Sequence, residues 1–67
     1  MDFQIKGEYI ELIGLIKVLG WALTGGEAKH LVDDGLIQVN GEVESRKRRK
    51  LRSGDEVRFE KELVKLR

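Results

Sequence analysis

The dipeptide Asn40-Gly41 constrains the fold of this chain more than any other local feature. It joins two short runs, Leu36 to Val39 and Glu42 to Ser45. Asn-Gly is the pair best suited to the two positive φ values of a type I′ turn, whose twist matches that of the flanking strands. The pattern therefore predicts a β-hairpin in the middle of the chain.

Alternating apolar and polar residues predict two more strands, at residues 2–6 and 56–60. A period of two is typical of a half-buried strand. Gly7 ends the first of these strands, and the Ser-Gly-Asp sequence at 53–55 predicts a turn before the second. The last segment, residues 61–67, fits either a strand extension or a short helix, and the pattern does not decide between them.

Between the first strand and the hairpin, the apolar period changes to that of two helices. The stripe of the first helix consists of Leu12, Leu15, Ile16 and Leu19, widened by Ile13 and Val18. Gly20 ends it, and the second helix opens with a capping box formed by Thr24 and Glu27 and ends at Gly35. Together with the strands, these elements predict an α+β fold in which two short helices pack on a small mixed or antiparallel sheet.

The length of 67 residues predicts one domain that spans residues 1–67. A chain of this length buries only about 60% of its unfolded surface, so function is expected on the surface rather than in a deep cavity. The absence of cysteine excludes disulfides and thiolate metal sites. No apolar run is long enough to span a bilayer, and Asp2 and Glu8 argue against a signal peptide. We therefore expect a cytoplasmic domain that is monomeric by default.

Residues 46–52 carry six basic and no acidic side chains in a chain whose net charge is only +1. Residues 1–45 carry three basic and eight acidic side chains, and residues 53–67 carry four of each. A basic cluster on an otherwise acidic chain indicates local attraction for a polyanion. A solvated charge run or a linker is the alternative, but predicted turns and strands hold both ends of the segment, which counts against a disordered linker.

Few residues are candidates for catalysis. His30 has no evident partner to position it as an acid or base, so a structural role is favoured. Asp33 and Asp34 are adjacent, point in different directions and lie at the negative end of a helix dipole, where pairing with a basic side chain is expected. Metal-ligand spacings are also absent. The sequence therefore predicts neither an enzyme nor a metal or cofactor site.

Gly25 and Gly26 lie in the first turn of the second helix, where backbone N–H groups favour an anion and small side chains allow close approach. Lys29, one turn further on, could reach the same phosphate. A plain helix start explains the glycines equally well. The Walker spacing is missing, so this is not a nucleotide-binding loop.

Three segments come in a set order after the first helix: "TGGEAK" at 24–29 opens the second helix, and "VNGEVESRKRRKL" at 39–51 and "SGDEV" at 53–57 follow that helix. This arrangement resembles the S-four RNA-binding domain, the αL-type module named after a ribosomal small-subunit protein, over about residues 9–59. The matching positions are Gly20, Thr24, Glu27, Ala28, Gly35, Val39, Asn40, Gly41, Gly54 and Asp55. The three segments together are similar to small stand-alone bacterial proteins of this class.

The resemblance implies a protein that binds structured RNA, often ribosomal RNA or the ribosome, and it agrees with the absence of a predicted catalytic or cofactor site. The family's RNA-binding face falls on Lys17, Thr24, Gly25, Gly26, Lys29, Arg46, Lys47, Arg48, Arg49, Lys50 and Arg52. Many members have Arg after the cap, where this chain has Gly25, and Arg-Leu-Asp where it has Glu-Leu-Ile at 11–13. These differences shift the expected binding onto the basic segment.

Physical reasoning agrees with this placement, because RNA helices are recognised mainly through shape, phosphates and 2′-hydroxyls. If residues 46–50 are extended, Arg46, Arg48 and Lys50 share one face and Lys47 and Arg49 share the other. Three to five phosphate contacts predict a slope of log affinity against log salt of roughly −2 to −4.

The four aromatic residues could add base stacking. Phe3 and Phe59 fit core positions on strands. Trp21 is expected in the core or at its rim rather than on RNA. The position of Tyr9 is open from the sequence.

Two other binding functions compete with RNA recognition. One is helix-turn-helix DNA binding, but the second helix carries two aspartates and one lysine at residues 27–35, which suits DNA poorly. The other is a protein-interaction adaptor that pairs a partner strand with an exposed sheet edge.

Overall fold

Two helices and seven short strands make up the structure, a computed structural model that describes residues 1–67. In chain order they are β1 (Asp2–Phe3), β2 (Ile10–Glu11), α1 (Leu12–Val18), α2 (Gly25–Asp33), β3 (Ile37–Val39), β4 (Glu42–Val43), β5 (Lys50–Leu51), β6 (Glu56–Phe59) and β7 (Glu62–Leu66). The predicted α+β class is confirmed. Neither helix has the length and apolar composition that a membrane-spanning helix requires.

The main sheet has five strands in the order β1-β7-β6-β3-β4. Strands β1 and β7 are parallel, whereas the other neighbours are antiparallel, so the sheet is mixed. A second, two-stranded antiparallel sheet pairs β2 with β5. This small sheet brings the residues before α1 next to the end of the basic segment.

Strands β3 and β4 pair on either side of Asn40 and Gly41, whose φ angles are 52° and 87°. The Asn40 side chain also connects this turn to the start of β6. Its amide donates to Asp55 Oδ1 at 3.1 Å, and its carbonyl accepts from the Glu56 N–H at 2.9 Å. Asparagine therefore supplies both a left-handed backbone conformation and two contacts between elements.

The C-terminal segment forms a strand rather than a helix. Strand β7 pairs with β6 through a turn at residues 60–61, in which Glu60 has a φ of 56°. It also pairs with β1, whose ladder covers only Asp2–Phe3 and is thus shorter than the predicted strand at 2–6. Ile5 lies beyond the ladder but is buried, and its N–H donates to the Arg67 carbonyl at 3.1 Å.

Both helices end at the glycines predicted to stop them, and α2 begins at the predicted Thr24 cap. The Trp21 N–H donates to the Ile16 carbonyl at 3.1 Å, and Gly20, at a φ of 79°, closes α1. The Thr24 hydroxyl accepts from the Glu27 N–H at 3.1 Å at the start of α2. One prediction is wrong: the Val18 side chain does not widen the buried stripe of α1 but is 63% exposed.

One core cluster contains apolar side chains from both helices and from the main sheet. Its members are Ile5, Leu12, Leu15, Ile16, Ala22, Ala28, Val32, Ile37, Val39, Leu51, Val57, Val64 and Leu66. Trp21 packs against its rim, 5.3 Å from Phe59 between ring centroids, and donates from its indole to the Glu62 carboxylate. The predicted rim position of Trp21 is confirmed.

Candidate nucleic-acid interface

The basic segment turns back on itself. The Arg49 N–H donates to the Arg46 carbonyl at 3.2 Å, so residues 46–49 form a turn, which we call the basic turn. Residues 46–49 are therefore not extended, and the two alternating faces considered for an extended segment do not form. The chain has to reverse there because it leaves the edge strand β4 and must pair β5 with β2.

A buried carboxylate holds this turn together. The Glu44 side chain is only 7% exposed and accepts from Arg46 Nη2 at 3.0 Å and from Arg49 Nη1 at 2.7 Å. It also accepts from the Arg46 backbone N–H at 2.9 Å. The hydrogen bond from the Arg46 side chain is the main reason why the pKa of Glu44 falls to about 2, although burial opposes it. Arg46 and Arg49 therefore neutralise an internal charge.

The basic turn also caps α1. The carbonyls of Lys47 and Arg49 accept from the N–H groups of Ile13 at 3.1 Å and Leu12 at 2.9 Å, and no side chain caps this helix. Lys47 Nζ lies 2.9 Å from Asp33 Oδ1 at the end of α2. Asp33 thus has the basic partner expected from the sequence, and the turn is fixed to both helices.

Three cations of the segment take no part in the chain's ion pairs: Arg48, Lys50 and Arg52. Their side chains are exposed. In β5 the intervening Leu51 is fully buried, so Lys50 and Arg52 lie on the opposite, outer side of the strand.

Tyr9 lies against two of these cations. Lys50 Nζ is 5.0 Å from the centroid of the Tyr9 ring, and the guanidinium carbon of Arg52 is 5.7 Å from it. These are cation–π distances. The pairing of Ile10 with Leu51 places Tyr9 and Arg52 side by side at the end of the small sheet. We call Tyr9, Lys50 and Arg52 the Tyr9 cluster.

Hydrogen bonds fix the backbone at Arg52. Its N–H donates to Asp55 Oδ2 at 2.8 Å, and its Nη1 lies 3.5 Å from the Glu8 carbonyl. Burial is the largest influence on the pKa of Asp55 and raises it, but the hydrogen bonds from Arg52 and Asn40 outweigh it, so this pKa is lowered. Asp55 is therefore an ionised anchor for the turn at 53–55.

The start of α2 has an open surface. Gly25 and Gly26 are not among the glycines with positive φ. A Cβ atom on Gly25 would meet nothing within 4 Å, and one on Gly26 would meet only Thr24 Oγ1, at 3.8 Å. Neither the backbone conformation nor internal packing thus requires glycine at these positions.

The predicted site residues lie at two ends of the helix pair. Lys17 is in the last turn of α1, close in sequence to Thr24, Gly25 and Gly26 at the start of α2. The basic turn contacts the opposite ends of both helices, about 12 Å away along the length of α2. Lys29 lies between them, one turn before Asp33.

The family model of the S4 domain matches residues 3–67. The chain belongs to the S4 domain family. It is 41% identical over 54 residues, covering 81% of this chain and 77% of the relative, to the "Putative RNA-binding protein YbcJ" of Escherichia coli (strain K12). It has the same identity and coverage with the "Uncharacterized protein YbcJ" of Shigella flexneri. The resemblance inferred from the sequence is confirmed.

Two residues of this S4 domain contribute to the site although sequence reasoning did not single them out. Glu44 is indistinguishable by pattern from the exposed Glu42 two positions earlier. Tyr9 precedes a strand of only two residues, too short to produce a recognisable alternation. Both owe their roles to contacts with the basic segment, which local patterns do not encode.

Proposed function

We propose that this protein binds structured RNA without catalysing a reaction. The observation that carries the proposal is the placement of Arg48, Lys50 and Arg52, exposed and outside the ion pairs, on a backbone fixed by hydrogen bonds. Membership of the S4 domain family and the RNA-binding name of the YbcJ relative support it. We further propose ribosomal RNA or the ribosome as the target, a cytoplasmic location and a monomeric state.

The six basic residues of the segment divide into two groups with different tasks. Arg46, Arg49 and Lys47 are paired with Glu44 or Asp33 and chiefly hold the turn in place. Arg48, Lys50 and Arg52 carry uncompensated charge that phosphates can neutralise. Arg46 also contributes to the positive surface, because its side chain is 70% exposed despite the ion pair.

The start of α2 supplies the second part of the proposed interface. The Thr24 hydroxyl is occupied by the helix cap, so its role is to order the first turn. Gly25 and Gly26 leave the backbone accessible to a phosphate, and Lys29 and Lys17 add charge nearby. RNA that spans both ends of the helix pair would contact the protein through phosphates at each end.

The alternative of a protein-interaction adaptor has less structural support. The edges of the main sheet are β1 and β4, each with only two residues. So short an edge offers few backbone hydrogen bonds to an added strand. DNA recognition by α2 is disfavoured because Asp33 and Asp34 are exposed at its C-terminal end.

A binding titration distinguishes these functions. A ribosomal RNA stem-loop and a DNA duplex of matched length are titrated with the protein over a range of salt concentrations. We expect tighter binding to RNA and a slope of log affinity against log salt of roughly −2 to −3, as for three neutralised phosphates. Equal weak binding to both nucleic acids with a flat salt dependence would contradict the proposal.

A further inference from the structure

An open groove of about 450 Å³ lies beside the Tyr9 cluster. Its lining residues are Phe3, Gln4, Lys6, Tyr9, Ile10 and Val18. Tyr9 is 41% exposed and Val18 63% exposed, and they lie together in one lining with Phe3 and Ile10. The groove is thus an apolar surface at the rim of the proposed RNA interface.

We propose that this groove holds one unpaired nucleotide of the bound RNA, an inference that rests on the proposed function. The base packs against the Tyr9 ring and the apolar wall formed by Ile10 and Val18. The adjoining phosphates are neutralised by Lys50 and Arg52. Unpaired bases in RNA are commonly splayed out and stacked on aromatic side chains in this manner.

Charge complementarity identifies the occupant as a nucleotide rather than an apolar peptide. Lys6 lies in the groove lining, and Lys50 and Arg52 approach the Tyr9 ring from β5 at 5.0 and 5.7 Å. An apolar peptide would not neutralise the charge of these cations, whereas a nucleotide supplies both a flat apolar base and an anionic backbone. The volume also falls within the roughly 300–1,000 Å³ of small-ligand sites.

Gln4 offers a polar contact for the edge of the base. Its amide nitrogen lies 3.4 Å from the carbonyls of both Ile5 and Arg67. These contacts use the donor end of the side chain and orient it, so the acceptor oxygen remains available to an exocyclic amino group of the base.

The test compares two RNA hairpins that differ only in one bulged nucleotide, a fluorescent adenine analogue, within the stem. We expect wild-type protein to bind the bulged hairpin about five- to a hundredfold more tightly than the fully paired one, the range for one stacked base. Fluorescence of the analogue should fall on binding because the base stacks. Tyr9→Phe should keep this preference, and Tyr9→Leu should abolish it, so that the variant binds the bulged and the paired hairpin with affinities within about twofold of each other.

A second pair of variants tests the groove without touching the ring. Val18→Glu places a carboxylate at an exposed position in the groove and should remove the preference, whereas Leu63→Glu, at an exposed position outside the groove lining, should not. Melting curves by circular dichroism check that each variant folds. Equal affinity of wild-type protein for the two hairpins would overturn this inference and leave RNA binding intact. Absence of salt-dependent binding to either hairpin would overturn both proposals.

Discussion

Arg49 Nη1 lies 2.7 Å from Oε1 of Glu44, so a residue of the basic turn is also the counter-ion of a buried carboxylate. Arg46, at the other end of the basic turn, forms a second ion pair with the same carboxylate. Positive charge in this segment therefore has a folding role as well as a proposed binding role. Arg49 serves the fold, Arg48, Lys50 and Arg52 serve the proposed binding, and Arg46 contributes to both, so substitutions can separate the two roles.

Removing both arginines from Glu44 should destabilise the protein. Arg46→Ala combined with Arg49→Ala leaves the Glu44 carboxylate without either side-chain partner, which lowers the free energy of unfolding. In a domain of this size we expect a fall in Tm of at least about 5 °C. Arg48→Ala, at an exposed position without an ion pair, is the control and should change stability by less than about 0.5 kcal/mol. Similar melting temperatures for the two proteins would show that Glu44 does not need its partners.

Stability should fall in acid because of Glu44. Its pKa is lowered from 4.5 to about 2 in the folded protein, so folding favours the ionised form. The stabilisation that Glu44 provides is complete above its pKa in the unfolded chain. It is lost as the pH falls from about 5 to 2, through the pKa of Glu44 in the folded protein. The contribution is about 1–2 kcal/mol, because Arg46 is 70% exposed and solvent screens its charge. Asp55, whose pKa is also lowered, contributes with the same sign.

Urea unfolding of wild-type protein and Glu44→Gln over this pH range measures the effect. The variant should be less stable than wild type at pH 7 and should lose less stability between pH 5 and 2. Parallel pH profiles for the two proteins would rule out Glu44 as the main source of the acid sensitivity.

The three uncompensated cations should carry most of the salt-dependent affinity. Replacing Arg48, Lys50 and Arg52 together by alanine should weaken RNA binding by well over tenfold at low salt and move the salt slope toward zero by roughly 2 to 3. In a matched control, alanine replaces Arg58 on β6, Lys61 in the turn after it and Lys65 on β7. Fluorescence anisotropy with one RNA stem-loop compares the variants. Equal losses in both would mean that net charge, and not the basic segment, determines binding.

Gly25→Ala should separate binding from stability. The added Cβ meets no internal atom, and alanine reduces the entropy of the unfolded chain, so stability should rise by up to about 1 kcal/mol. Binding should weaken, because the methyl group occupies the surface proposed to receive a phosphate. In Gly14→Ala, the control in α1, the Cβ makes an ordinary contact of 3.8 Å with Ile10, so stability should also rise while affinity is unchanged. Unchanged affinity in Gly25→Ala would remove the α2 start from the interface.

The elements that the sequence predicted correctly depend on signals within a few residues. The Thr24 cap involves a hydrogen bond across three positions, and the glycine that ends each helix acts through its own φ angle. The predicted burial of Leu12, Leu15 and Ile16 is confirmed, because helical periodicity alone places these side chains on one side of α1. The prediction for Val18 was wrong because the apolar periodicity of α1 does not show how far the neighbouring elements extend over the helix.

The features of the site that the sequence did not predict depend on pairing between segments that are distant in the chain. The basic segment forms a turn because β5 must reach β2, about forty positions earlier in the chain. The same pairing brings Tyr9 to Lys50 and Arg52, and the turn buries Glu44. Composition identified where the charge lies, but only the tertiary structure distinguishes the charges that are neutralised from those that remain.

Backbone amide chemical shifts, followed by NMR during titration with a ribosomal RNA stem-loop, test the central claim most directly. We predict the largest changes at Arg48, Lys50 and Arg52, with a second group at Gly25 and Gly26, and small changes along the edge strand β4. Changes confined to β4, or none at saturating RNA, would contradict the claim that this surface binds RNA.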